Sequence, residues 1–291
     1  MIMALPTPSY YWDFNKEIGQ TVPAVIGNAN MVFAQPPQIV PGKGGNAVRF
    51  IRNGQYDGTV ASTTIPELPL PWTVSFWITR DADIAHENAA VLFSSLCGGV
   101  DLVTYHSPNQ VGITQPGVAD YPFDYSVPFS SNGNIWVNLI FVGNSGGTAL
   151  YVDGKLVQIR PEAIRLGLNW IGSKRGEEDF AAMTLDELRV FNQALSAEQA
   201  AELAKLVPDP GLPELGGLWY WGGLPGPRIS VSGNNLTVDM SAYRRPTASG
   251  TILGPNQIRV TFPDDNTFTG TLSSNPARIN WSNNTVWTKA P

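Results

Sequence analysis

The stretch Ala119-Asp-Tyr-Pro-Phe-Asp-Tyr-Ser126 gathers three aromatic rings and two carboxylates. The rings of Tyr121, Phe123 and Tyr125 offer faces that stack on sugar C–H surfaces. Asp120 and Asp124 offer oxygens that accept hydrogen bonds from hydroxyl groups. Pro122 and the polar residues argue against a central strand and for a binding loop. The alternative is an edge strand in which Tyr121, Phe123 and Tyr125 alternate and pack inward. Other side chains suggest hydrolysis. Retaining glycoside cleavage needs two carboxyl groups about 5 Å apart. Asp186 and Glu187 are neighbours, so on a regular strand they point to opposite faces. Glu177, Glu178 and Asp179 lie in a Gly-rich stretch and read as a solvated acidic turn. Cys97, followed by Gly98-Gly99, has His86 and His106 nearby in sequence, which would allow a Cys–His nucleophile. Against that, a lone Cys in an apolar run reads as a small buried hydrophobe.

Any of these groups needs a scaffold, and the composition points to strands. The 291 residues include 29 Gly, 24 Pro and 10% aromatics, with only 14% charged residues. That mix suits many short strands joined by tight turns. Ala47-Val-Arg-Phe50, Trp72-Thr-Val-Ser-Phe-Trp-Ile78, Ala90-Val-Leu-Phe93 and Trp136-Val-Asn-Leu-Ile-Phe-Val142 are β-branched and aromatic runs between turn residues. In the second run Trp72, Val74, Phe76 and Ile78 share one face. Thr148 to Gln158 reads as a hairpin, with Asp153-Gly154 supplying the positive φ angles of a type I′ turn. One helix is expected after Ser196. Ser196 is the N-cap, Gln199 completes a capping box, and Ala200, Leu203, Ala204 and Val207 form a buried stripe that Pro208 ends.

The ten residues Pro208–Gly217 hold three prolines and three glycines, a semi-stiff linker. Residues 1–217 carry 12 basic and 21 acidic side chains, whereas residues 218–291 carry 6 and 3. Two domains of opposite sign are expected, over 1–207 and 218–291. In the second, Arg228–Val231, Leu236–Met240, Gln257–Phe262, Thr267–Leu272, Arg278–Trp281 and Thr285–Thr288 read as six strands of a small antiparallel barrel. Trp219-Tyr-Trp221 is expected to plug that barrel or an interface between domains.

The net charge of −6 argues against nucleic acid, because phosphate binding needs clustered Lys and Arg. One Cys and two His exclude a disulfide and a zinc site of the usual spacing. No apolar run is long enough to span a bilayer, so no membrane insertion is expected. The N-terminal stretch lacks the marks of a secretory signal. Work outside a cell would then use another route, such as release in a virus particle.

The hairpin Trp136…Leu150-Tyr-Val-Asp-Gly-Lys-Leu156 and the run Leu185-Asp-Glu-Leu-Arg-Val-Phe-Asn-Gln-Ala-Leu-Ser-Ala-Glu-Gln199 resemble the hairpin and closing motif of laminin-G-like jelly-roll domains. Trp12-Asp-Phe, Gly45 to Phe50 and Trp72 to Trp77 stand in the expected order before them. The resemblance covers most of residues 9–207 and implies an all-β, concanavalin A-like sandwich, followed here by the small barrel. Met183-Thr184 stands where the family often has Gly. The kinship implies a non-catalytic protein of recognition or adhesion that binds a glycan or glycosylated surface through sandwich loops. A structural or receptor-binding virion component, homo-oligomeric or assembled, is the second expectation. A glycosidase is the third, although the Glu-x-Asp-x-x-Glu strand of laminarinase-like enzymes is missing. The resemblance also implies a structural Ca²⁺ with Asp186 as ligand, unless Asp186 only pairs with Arg49, Arg189 or a backbone amide.

Overall fold

The computed structural model describes residues 5–81, 89–105, 107, 109–130, 135–206, 215–232, 235–254, 257–274 and 277–289. The chain divides into two compact units, Met1–Pro208 and Asp209–Pro291. His86, His106, Val207, Pro208 and the linker residues up to 214 lie outside the described residues.

The first unit is a sandwich of two antiparallel sheets. One runs in the order Lys155–Arg160, Gly147–Val152, Val137–Asn144, Trp72–Arg80, Met183–Phe191, Asn46–Phe50, Gln38–Pro41, with Tyr10–Trp12 also paired to Met183–Phe191. The other runs Ala119–Ser126, Gln110–Gln115, Gly99–Val103, Ala90–Ser94, Trp170–Ile171, Ala61–Ser62, Met31–Phe33, Thr21–Val22. Alternation explains the core. Trp72, Val74, Phe76 and Ile78 point inward from the first sheet, where they meet Phe93, Leu102, Ile113 and Phe123 from the second. Phe76 meets Phe93 edge-on at 5.1 Å between ring centroids.

The opposite face of the first sheet is covered by the helix Ala197–Leu203, whose Ala200 and Leu203 pack with Leu195 on Ile140, Val142 and Phe191. Its capping box forms as the sequence implies: the Gln199 amide donates to Ser196 Oγ at 3.2 Å and the Ser196 amide to Gln199 Oε1 at 3.0 Å. Thr73 ties this layer to the sheet. Its hydroxyl donates to Gln193 O at 2.8 Å and accepts from the Leu195 amide at 3.0 Å. The hairpin turn at Asp153-Gly154 has φ of 48° and 76°, as a type I′ turn requires.

The closing strand departs from simple alternation. Leu185 would share a face with Glu187 and Arg189, yet Leu185, Leu188 and Val190 all enter the same core. A bulge between Asp186 and Arg189 resets the face, and Glu187 takes the left-handed φ of 56°.

The second unit is a closed barrel of eight antiparallel strands, not six. Gly217–Trp221 and Ala248–Gly254 are the two additions. Gly217–Trp221 closes the ring by pairing with Val286–Lys289, and Trp219 fills the interior at 0% exposure. Packing begins within the stretch read as linker, since Leu215 belongs to the barrel core. Ala248–Gly254 escapes a hydrophobicity pattern because its interior is partly glycine. A Cβ on Gly250 would lie 2.7 Å from Val260 Cγ2. Eight strands enclose just enough space for side chains to fill, and that approach needs a missing Cβ.

Candidate functional site

The outer face of the second sheet carries a cleft of about 610 Å³. Its floor is built by register. Asp101 sits opposite Gly112, and Gly112 opposite Pro122, while Gly99, Thr114 and Asp120 form the next row. Because Val100 and Leu102 enter the core, Asp101 faces the cleft. Gly112 itself does not line the cleft, because Thr104 Cγ2 lies where its Cβ would project. Turn residues Pro116–Val118 and the strand start Ala119 raise one wall, and Lys174, Arg175, Glu178 and Asp179 raise another. Tyr105 and Val118 line the opening at 46% and 66% exposure.

Arg52 anchors the second wall by donating to the carbonyls of Ala89 at 3.0 Å and Phe180 at 2.6 Å. Lys174 reaches Glu178 at 2.8 Å and Asp179 at 3.8 Å. The acidic turn is thus only partly solvated: Glu177 is exposed, but Asp179 is buried at 7%. Burial raises the pKa of Asp179, and the Lys174 ammonium works against that rise.

Asp101 is the most unusual group. It is 3% exposed, and its Oδ2 accepts a hydrogen bond from the Thr114 hydroxyl. Burial lifts its pKa well above the ordinary 3.8; the Thr114 bond and Lys174 oppose that, and Asp120 and Asp179 add to it. A raised carboxyl pKa contributes stability that is present below the unfolded pKa and lost as pH climbs through the folded one. Asp101→Asn keeps the acceptor for Thr114 and never ionises. Its urea midpoint is expected to match the parent near about pH 4 and to exceed it near about pH 8. A midpoint at or below the parent's at the higher pH would show that Asp101 carries no such penalty.

The aromatic segment 119–126 is not a loop. It is the edge strand Ala119–Ser126, and Pro122 is tolerated there beside a register shift between Gln110 and Gly112. Phe123 is fully buried, 5.8 Å from Phe141 between centroids, and Tyr121 and Tyr125 pack against the core. Phe123 thus belongs to the sandwich core, and the half-buried Tyr121 and Tyr125 pack against it. Asp120 alone of the five candidates lines the cleft. Asp124 is exposed outside it, and its amide donates to Gln158 Oε1 at 2.9 Å. Cys97 is exposed at the Ser95–Gly98 turn instead of buried, with its amide donating to Glu67 Oε1 at 3.1 Å. The hairpin tip carries it out of the apolar run.

Asp186 and Glu187 lie away from the cleft. Glu187 is fully buried, accepts from the Tyr11 hydroxyl at 3.0 Å, and is paired with Arg189. Burial pushes its pKa up to about 7, against the pull of Arg189 and Tyr11. Asp186 Oδ2 accepts from the Gly44 amide at 3.1 Å, and Oδ1 has no partner. Calcium takes six to eight oxygens. Here amide N–H faces one carboxylate oxygen and a single oxygen is left over. Among the described residues no three His, Cys, Asp or Glu gather to hold a metal.

A second hollow of about 50 Å³ lies in the barrel, lined by Trp221, Phe262, Phe268, Trp281 and Trp287. Arg245 borders it, bound to Asp264 at 2.8 and 2.9 Å. No described helix is long and apolar enough to cross a membrane, which says nothing of strands.

Comparison with known proteins bears on the fold. No curated protein matches the chain's sequence. Domain 4 of AbnA, a GH43 extracellular arabinanase from Geobacillus stearothermophilus solved with arabinotriose, is similar in structure at 16% identity and TM-score 0.51. That similarity covers 69% of this chain and 100% of that one. A structure described as a receptor binding domain is similar at 12% identity and TM-score 0.50, covering 96% of this chain and 79% of the other. Trypanosoma rangeli sialidase, solved with the inhibitor DANA, matches 69% of this chain at 12% identity and TM-score 0.48. The chain spans only 33% of that sialidase. In sequence, the Laminin_G_3 family model matches residues 53–201. That match takes in just over half the chain, from the first cleft-lining residue, Gln55, through the closing strand to the helix, and places the chain in the concanavalin A-like lectin/glucanases superfamily.

Proposed function

We propose that the protein recognises carbohydrate, and that the sugar sits in the cleft on the outer face of the second sheet. The chemistry of that cleft carries the reading. Asp101, Asp120 and Asp179 present carboxyl oxygens to hydroxyl groups, Lys174 and Gln55 add donors, and apolar side chains at the opening meet C–H surfaces. Recognition without bond cleavage is the favoured reading. The adjacent carboxylates Asp186 and Glu187 stand outside the cleft, and Glu187 is committed to Arg189 and Tyr11.

A glycan array probed with the full chain and with Ala119→Trp tests this. Ala119 lines the cleft and is exposed, so an indole there fills the space without disturbing the core. At least one glycan class is expected to bind, and its signal to fall roughly tenfold or more in the variant, a loss of about 1.4 kcal/mol. No glycan above background, or a signal that ignores the indole, would remove the proposal. Circular dichroism confirms that the variant is folded.

A further inference from the structure

The cleft has a charge pattern that narrows the sugar. Asp101 and Asp120 both face it, and neither has a Lys or Arg within ion-pair distance among the described residues. Asp101 is nearly out of contact with water. The Thr114 hydroxyl donates to its Oδ2. Two cations line the cleft. Lys174 is bound to Glu178 and Asp179, and Arg175 is exposed on a left-handed backbone with φ of 58°. Val91, Phe93 and Ala89 line the same hollow and lower its polarity, which strengthens the field of the two uncompensated carboxyl groups.

We propose that the cleft selects sugars bearing a free ammonium group, which seats against Asp101 and Asp120, and rejects sugars bearing a carboxylate. The inference rests on carbohydrate being the ligand. An ammonium donates to the carboxyl groups of Asp101 and Asp120 and supplies the cation that neither has among the described residues. A uronate or sialic carboxylate would add a further negative charge to the same low-dielectric space. Asp120, Asp179 and Lys174 are the other charges acting on Asp101.

Titration calorimetry on the full chain, with three probes of equal length, tests this: a chitosan tetrasaccharide, its N-acetylated counterpart from chitin, and tetragalacturonate. The chitosan probe is expected to bind at least roughly tenfold more tightly than the chitin probe, with no heat from the galacturonate. Asp120→Asn and Asp101→Asn should each bring the first two affinities together. The inference falls if the chitin probe binds equally well or the galacturonate binds. It also falls if the chitosan preference survives Asp120→Asn and Ala119→Trp, because adsorption to a chain of net charge −6 then explains it. If array glycans bind in an Ala119→Trp-sensitive way with no preference for ammonium, the selectivity is wrong and the carbohydrate reading stands. If no glycan binds at all, both fail.

Discussion

Trp72→Ala is expected to destabilise the sandwich by about 3–5 kcal/mol from lost packing alone. Trp72 is fully buried, and its indole Nε1 donates to Ile164 O at 2.9 Å. Truncation leaves that carbonyl without its donor inside the protein, a further loss of roughly 1–3 kcal/mol. The site has little freedom to collapse. Gly143 lies opposite Trp72 in the paired strand, and a Cβ there would lie 2.4 Å from the ring's Cε2. The backbone of one central strand is therefore fitted to the indole face on the next. For a unit of this size each kcal/mol moves the melting temperature by roughly 2–4 °C, so a drop on the order of 10 °C or more is expected in the sandwich transition. Trp72→Phe keeps most of the apolar volume and should fall between. The packing argument is overturned if Trp72→Ala costs less than about 1 kcal/mol in urea denaturation.

What could be read from residues alone depended on how local the physics was. The inward face of Trp72–Ile78 follows from a period of two, and the turn at Asp153-Gly154 from the backbone freedom of two residues. The helix start follows from a Ser and a Gln three positions apart. Each is decided within a few residues. The bulge at Glu187 is different. A glutamate on a left-handed backbone has no sequence signature, and it exists because Tyr11 and Arg189 hold the carboxylate in place. Without it, Leu185 and Leu188 could not both reach the core. The same limit hid the cleft. Asp101, Thr114, Asp120 and Asp179 come from four segments; sheet register brings the first three to one face, and a backbone bond from the Val91 amide to Asp179 O holds the fourth beside them. Asp101 did leave a trace, as a charge alternating with Val100 and Leu102 in an apolar run. The ring-rich segment 119–126 misled in the opposite sense. Composition suggested stacking on a ligand, while alternation, also visible there, turned Tyr121, Phe123 and Tyr125 toward the core.

The barrel's first strand leads to the second large effect. Trp219→Ala is expected to unfold the barrel while leaving the sandwich folded. Trp219 is fully buried in a core of modest size, donates from its indole to Leu215 O at 2.9 Å, and has the Lys289 ammonium 5.3 Å from its ring centroid. It therefore connects the two strands whose pairing closes the ring. Losing such a ring costs about 3–5 kcal/mol. Small domains have total stabilities on the order of 5 kcal/mol, so the loss is comparable to the whole. An opened barrel would also expose two unpaired edges, one along Gly217–Trp221 and one along Val286–Lys289, where the closed ring has none. The sandwich has its own core, to which Trp219 does not belong. Scanning calorimetry of the full chain should thus keep one transition and lose another, with amide exchange becoming rapid in residues 217–289 alone. A single transition shifted as a whole would mean that the two units melt as one cooperative body. A barrel transition lowered by less than about 1 kcal/mol would mean that ring closure does not depend on this indole.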